Sequence, residues 1–273
     1  VVKIGDTGIQ WGNQETKFYG FYPGNENFDL SATGTTVTAT LPGDQTVTFV
    51  DQLNPDNNTQ GYEYKTNPDM SCVMMVSKTA SIAPTNDAIG LQFEPLSTVI
   101  DVTVSGPTET NSVIPYHVTS VSLFSENAAI CGKFTYDYES GKITTEPAVG
   151  DSMITVRTMA IDSNGDYVGV PLYNGQTMNL KISMLPLTDI ENLDLKVRVT
   201  TADSKVWTKK LTTTNLAPGQ INPVVLPKLI ASEAKLDYSR WISQLDPRIY
   251  IIELSLPGSA LSFNITGFVT EAT

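Results

Sequence analysis

The chain's 273 residues suffice for two domains of ordinary size, each burying its own core without metals or a disulfide mesh. Its 29 acidic residues outnumber 17 basic ones for a net charge of −12, which repels phosphate backbones and anionic headgroups and argues against nucleic acid as a partner. With 40% apolar and 17% charged residues, the gap filled by Thr, Ser, Asn and Gly, the composition is that of an exported β-protein.

Helical periodicity is scarce, and what recurs is a short β-branched or aromatic run closed by turn formers. Residues 17–22 form the first run, ended by Pro23-Gly24-Asn25. Residues 35–41 alternate up to Pro42-Gly43-Asp44 and 46–50 resume, which predicts a hairpin. Residues 54–69 read as a polar loop, 71–76 as a strand buried on both faces, and 89–93 as a strand continuing into 98–104. Gly106-Pro107-Thr108-Glu109-Thr110-Asn111 lacks an apolar anchor and reads as a domain boundary.

The second half repeats the style over 118–124, 129–138, 154–161, 178–185, 193–201, 205–212 and 221–226, with hairpin turns at 138–142, 162–166 and 201–204. Short strands at this spacing predict a β-sandwich. Residues 232–245 read as a short helix, and 248–256 and 261–269 as two strands with no third partner. The predicted fold is all-β, with sandwich domains over 1–107 and 112–229 and an extension over 230–273.

Chemistry-bearing groups are few. His117 is the sole histidine, which rules out metal sites needing several imidazoles and leaves no ready partner for a catalytic triad. Asp162-Ser163-Asn164-Gly165-Asp166 has calcium-loop character, but Tyr167 and Tyr173 stand where such a loop needs Gly and Glu, so a hairpin turn is expected. Cys72 and Cys131 lie in apolar runs and read as reduced and buried, with a bridge between them left open. No enzyme activity, metal or cofactor is expected. Trp11, Tyr62, Tyr64, Tyr167 and Tyr173 fall in or near predicted loops and are candidate ligand-contact aromatics. The N-terminus shows no basic stretch followed by an apolar run, and no stretch approaches the length of a membrane-spanning helix.

Several local signatures occur in an order that resembles the Bacteroidales fimbrillin family of pilus and adhesin subunits. Phe18-Tyr19-Gly20-Phe21-Tyr22-Pro23 resembles that family's aromatic strand, and Leu91-Gln92-Phe93-Glu94-Pro95-Leu96 its domain-closing strand, with Glu94 where the family usually has His. Residues 118–124 with Cys131-Gly132 and Asp137, then Leu185-Pro186, then Leu216-Ala217-Pro218-Gly219-Gln220 with Val224-Val225-Leu226-Pro227, are similar to later strands. The resemblance spans about residues 10–229. A second, short likeness, Trp241 to Leu245 and Leu254 to Ser259, is to the opening of phosphatidylinositol-specific phospholipase C. Ala260 occupies the place of its catalytic His, so no activity is expected.

The fimbrillin resemblance implies transthyretin-like sandwiches, export through the periplasm to the outer membrane on a precursor lipid anchor, and a place at the cell surface in a fimbria. It also implies other fimbrial subunits as partners, with a host or bacterial surface protein or glycan as ligand. In that family a strand ahead of the first aromatic strand is removed, and a neighbour's C-terminal strand fills the groove. Residues 1–14 offer little for such a first strand, so an incomplete edge is expected there. Ile249, Ile251, Leu254 and Leu256, with Tyr250 and Ile252 as a second set, are the donor-strand candidates. The competing expectation is a monomeric surface lipoprotein that binds glycans.

Overall fold

The structure is a computed structural model that describes residues 13–24, 31–50, 61–85, 87–107, 114–146, 151–161, 167–187, 193–212, 216–230 and 235–236. The strands of the first half are β1 (Tyr19–Tyr22), β2 (Ser31–Thr33), β3 (Thr36–Leu41), β4 (Asp44–Gln45), β5 (Thr48–Phe49), β6 (Glu63–Asn67), β7 (Met75–Lys78), β8 (Glu94–Pro95) and β9 (Thr98–Ser105). Those of the second half are β10 (Tyr116–Ser125), β11 (Gly132–Asp137), β12 (Lys142–Thr145), β13 (Met153–Arg157), β14 (Met159–Ile161), β15 (Tyr167–Leu172), β16 (Thr177–Met184), β17 (Leu195–Thr201), β18 (Lys205–Lys210), β19 (Ile221–Val225) and β20 (Lys235–Leu236). No α-helix occurs among the described residues, and the protein is all-β.

Side-chain alternation explains the strands. In β3 the inward positions are Val37, Ala39 and Leu41, and in β9 they are Thr98, Ile100, Val102 and Val104, while the residues between them face outward. Among the described residues the strands form four sheets: β1-β7-β8, β12-β11-β3-β2, β19-β9-β16-β6-β5, and an eight-stranded sheet ordered β14-β15-β10-β17-β18-β20, in which β13 joins β10 to β4.

These pairings cross the predicted boundary. β3 lies beside β11, β4 beside β13, and β16 between β9 and β6. Three of the four sheets thus hold strands from both halves, and one core runs from Val37 and Ile100 to Leu123, Leu180 and Val199. The sheets do not divide at 107 and 112. A stretch without apolar anchors here separates two strands of a common core, since polarity marks solvent exposure whether or not a second core follows.

Buried polar groups stitch the sheets. Gln45 is 3% exposed, and its Nε2 donates to Ser183 O at 2.6 Å while Ser183 N donates to its Oε1 at 3.1 Å, so the amide serves as a piece of backbone against β16. Gly169 in β15 passes so close to β10 that a Cβ there would lie 2.6 Å from the carbonyl of His117, which only glycine tolerates.

Several local expectations differ from the structure. The chain does not turn back at 42–44: β3, β4 and β5 belong to three different sheets, because Gly43 packs under Met153 O and its carbonyl accepts from Thr155 N at 2.7 Å. The polar 54–69 segment contains β6, whose alternation buries Tyr64 and Thr66 alone. In 71–76, Met70–Cys72 make a 3-10 turn because Asp69 caps Ser71 N, and β7 starts only at Met75. No strand forms over 89–93, and β8 begins at Glu94. Within the predicted helix 232–245, Lys235–Leu236 are a strand paired with β18, and the rest lies outside the described residues. The turn at 162–166 also lies outside them, but β14 and β15 pair antiparallel on either side.

Candidate functional site

The edge of β18 and the groove beside it form the main candidate site. Leu211 N donates to Leu195 O at 2.8 Å, so in this antiparallel pair the odd residues of β18 bond to β17 and the even ones point away. Val206 is met by Lys235 of β20, whereas Thr208 and Lys210 have no strand beside them among the described residues. Facing this edge is β19, bonded to β9 through Val99 N to Gln220 O at 2.9 Å and Leu226 N to Thr103 O at 2.9 Å. Its odd residues therefore point outward, and one of them, Pro223, has no N–H to give.

Between the two edges lie adjoining cavities of 190 and 340 Å³ that share Lys209 and Leu226. Val197, Val199, Trp207 and Leu229 give the first an apolar floor, and Lys209, Lys210 and Lys228 are exposed along the rim. Ile221 and Val225 stand 62% and 75% exposed on β19. Chemically this is a slot for an extended segment: main-chain groups on β18, apolar lining for alternate side chains, and positive charge at the lip.

A second edge lies at β1, whose described neighbour is β7. The β11–β12 turn is tied to it: Glu139 accepts from Lys78 Nζ at 2.9 Å, Tyr19 Oη at 2.7 Å and Lys17 Nζ at 3.1 Å, while Tyr138 Oη donates to Gly20 O at 2.8 Å. The Lys78 bond foremost, then those from Tyr19 and Lys17, lowers the Glu139 carboxyl from 4.5 to about 2. Such a depressed group contributes stability that is complete above its unfolded value near 4.5 and lost as pH falls through about 2. Glu139→Gln should therefore flatten the decline in urea midpoint between those pH values, with little further effect in high salt, where exposed pairs are screened. Parallel pH profiles for parent and variant would remove Glu139 from this role.

The aromatic candidates separate. Tyr62, Tyr64 and Tyr173 gather where β6 meets the turn before β16: Thr177 N donates to Tyr62 O at 3.0 Å, and the Tyr62 and Tyr64 rings meet edge-on at 4.9 Å. Tyr64 is 4% exposed, its hydroxyl has no hydrogen-bond partner among the described residues, and burial pushes its pKa up to about 12, so it is a core residue. Tyr62 and Tyr173 are half-buried beside it. Trp11, the side chain of Tyr167 and the donor-strand candidates Ile249, Tyr250, Ile251, Ile252, Leu254 and Leu256 lie outside the described residues.

The remaining reactive groups are engaged in structure. Cys72 and Cys131 are free thiols, 1% and 2% exposed, and burial pushes both pKa values up to about 12. His117 Nδ1 lies 3.3 Å from Gly169 O. Asp69 lines a 510 Å³ cleft with Asp44; burial would raise its carboxyl, but bonds from Ser71 and Thr46 outweigh that and lower it. Among the described residues no three His, Cys, Asp or Glu side chains converge on a metal position. No helix among them is long and apolar enough to cross a membrane.

No protein-family model and no curated protein matches the sequence. Solved structures to which the chain shows a likeness include a candidate cell adhesion protein from Bacteroides uniformis, at 12% identity and a TM-score of 0.46, covering 82% of this chain and 72% of that one. Another is a fimbrial protein from Bacteroides vulgatus, at 14% identity and a TM-score of 0.36, covering 80% and 76%. A third is a candidate adhesin from Bacteroides ovatus, at 15% identity and a TM-score of 0.35, covering 77% of this chain but 66% of that one, just under two thirds.

Proposed function

We propose that the chain is a structural and adhesive subunit of a cell-surface fimbria, exported to the outer membrane and assembled by strand addition between transthyretin-like subunits. The observation that carries this reading is the lysine-rimmed groove beside the β18 edge, joined to the ordered sequence signatures over residues 10–229. β20 brings the chain to the end of that edge at Lys205 and Val206, and residues 237–273 follow it. Strict alternation regroups the donor candidates: Tyr250, Ile252, Leu254 and Leu256 share one face of a strand, and Ile249 and Ile251 share the other with Glu253. Asp246 and Glu253 suit a lip of Lys209 and Lys228.

Deletion of residues 246–273 tests it. Polymers of the processed protein, counted by electron microscopy and size exclusion, should disappear, and polymers forming as readily without the tail would end the donor-strand assignment. A monomeric glycan-binding lipoprotein is the second reading, favoured by the half-buried Tyr62 and Tyr173, each near Tyr64. It predicts a monomer before and after the deletion.

A further inference from the structure

The outer face of the eight-stranded sheet carries a cation with no counter-ion among the described residues. Register places Ser122 of β10, Arg198 of β17 and Thr208 of β18 in one row, with Thr155 of β13 completing it. The next row is Met153, Phe124, Lys196 and Lys210. The Arg198 guanidinium stacks over the Phe124 ring at 4.9 Å from its centroid, and Lys196 Nζ lies 5.8 Å from the same centroid.

The other cations of this face are matched. Lys196 pairs with Glu126 and, at 2.8 Å, with Asp194; Lys210 reaches Asp194 at 2.8 Å; Arg157 reaches Asp44 at 3.7 Å. Arg198 makes no ion pair among the described residues, and its buried Nε has no hydrogen-bond partner. Among the described residues, this half-buried fork has no carboxylate paired with it. A buried N–H donor with nothing to donate to is costly unless a partner arrives from outside.

We infer that the Arg198 face is a binding site for a carboxylate-bearing sugar. Guanidinium is the side chain that holds a carboxylate in bidentate fashion while its flat surface rests on an aromatic ring. The surroundings select the carrier of that carboxylate. β17 is bonded to β10 on one side and β18 on the other, so no main-chain group beside Arg198 itself is free to pair with a peptide strand, and the open main chain at Thr208 lies one strand away on the β18 edge. What remains is side-chain hydroxyl: Ser122 and Thr155, whose oxygens are 3.0 Å apart, and exposed Thr208. Hydroxyls flanking a guanidinium match a uronic or sialic acid, which offers hydroxyl groups on both sides of its carboxylate. The site adjoins the groove, sharing Thr208 with its lining, but Arg198, Phe124, Ser122 and Thr155 lie outside it.

The test is titration of the full chain with sodium glucuronate, glucose and a short Asp/Glu peptide, followed by NMR or calorimetry, with thermal unfolding as a fold check. Glucuronate should bind and glucose should not, with affinity falling as salt rises. Arg198→Gln should lose at least tenfold in affinity, and Arg198→Lys, which keeps the charge but not the fork, should fall between the two. Equal binding of glucuronate and glucose, no binding of glucuronate, or a Gln variant that binds as the parent does would overturn the site. Preference for the acidic peptide over glucuronate would overturn the sugar assignment.

Discussion

Residues 112–236 produced on their own should show no cooperative unfolding transition. In that fragment β16 loses both of its neighbours, β9 and β6, and β19 loses β9. β11 and β12 lose β3 and remain as a two-stranded hairpin, marginal in water. Met178, Leu180 and Ile182, all 0% exposed in the whole chain, would then face solvent at about 1.5–3 kcal/mol each. Against a typical total of about 5–15 kcal/mol, three such exposures with their lost ladders leave nothing to hold a native state. The measurement is a urea titration by fluorescence of Trp207, with an amide spectrum for dispersion. A sigmoidal transition with dispersed amides would show that the second half folds alone, as its strand spacing predicts.

That contrast locates what local sequence can and cannot carry. β3, β9, β16 and β17 were legible because each places an apolar or β-branched residue at every second position over a buried face. β6 was not, since Glu63–Asn67 offers only Tyr64 and Thr66 to the interior, too thin a signal to separate a strand from a polar loop. Partnership was invisible altogether. Thr38 and Thr135 share a hydrogen bond across 97 residues of chain, and no periodicity in either strand names the other.

The candidate sites follow the same division. The aromatic positions were visible as residue types, and the structure brings Tyr62, Tyr64 and Tyr173 together, yet only burial shows that Tyr64 belongs to the core. The groove could not be read, because its walls are the edges of two sheets whose assembly is non-local. Arg198 reads locally as an outward residue of an alternating strand. What distinguishes it is the commitment of Asp194, Glu126 and Asp44 to other cations, which only the register displays.

Phe134→Ala should cost about 3–5 kcal/mol, the range for deleting a buried aromatic and leaving a void. Phe134 is 1% exposed and sits where β11 is flanked by β3 and β12, opposite Ala39 on one side and Thr145 on the other. The small methyl of Ala39 opposite leaves the space the ring fills, and Ala39 cannot reach across to close the gap. Its ring also meets Phe21 of β1, with centroids 6.4 Å apart at 39°, linking the four-stranded sheet to the three-stranded one. The urea midpoint should fall steeply with the slope unchanged, since the surface exposed on unfolding hardly differs. Phe134→Leu, which keeps most of the volume, should cost about 1.5 kcal/mol or less. A double-mutant cycle with Phe21→Leu should return a coupling of about 0.5–1.5 kcal/mol for the ring pair. A loss below 1 kcal/mol for the alanine variant, on the ~1 kcal/mol scale of an average substitution, would mean that β3 and β11 do not enclose this ring.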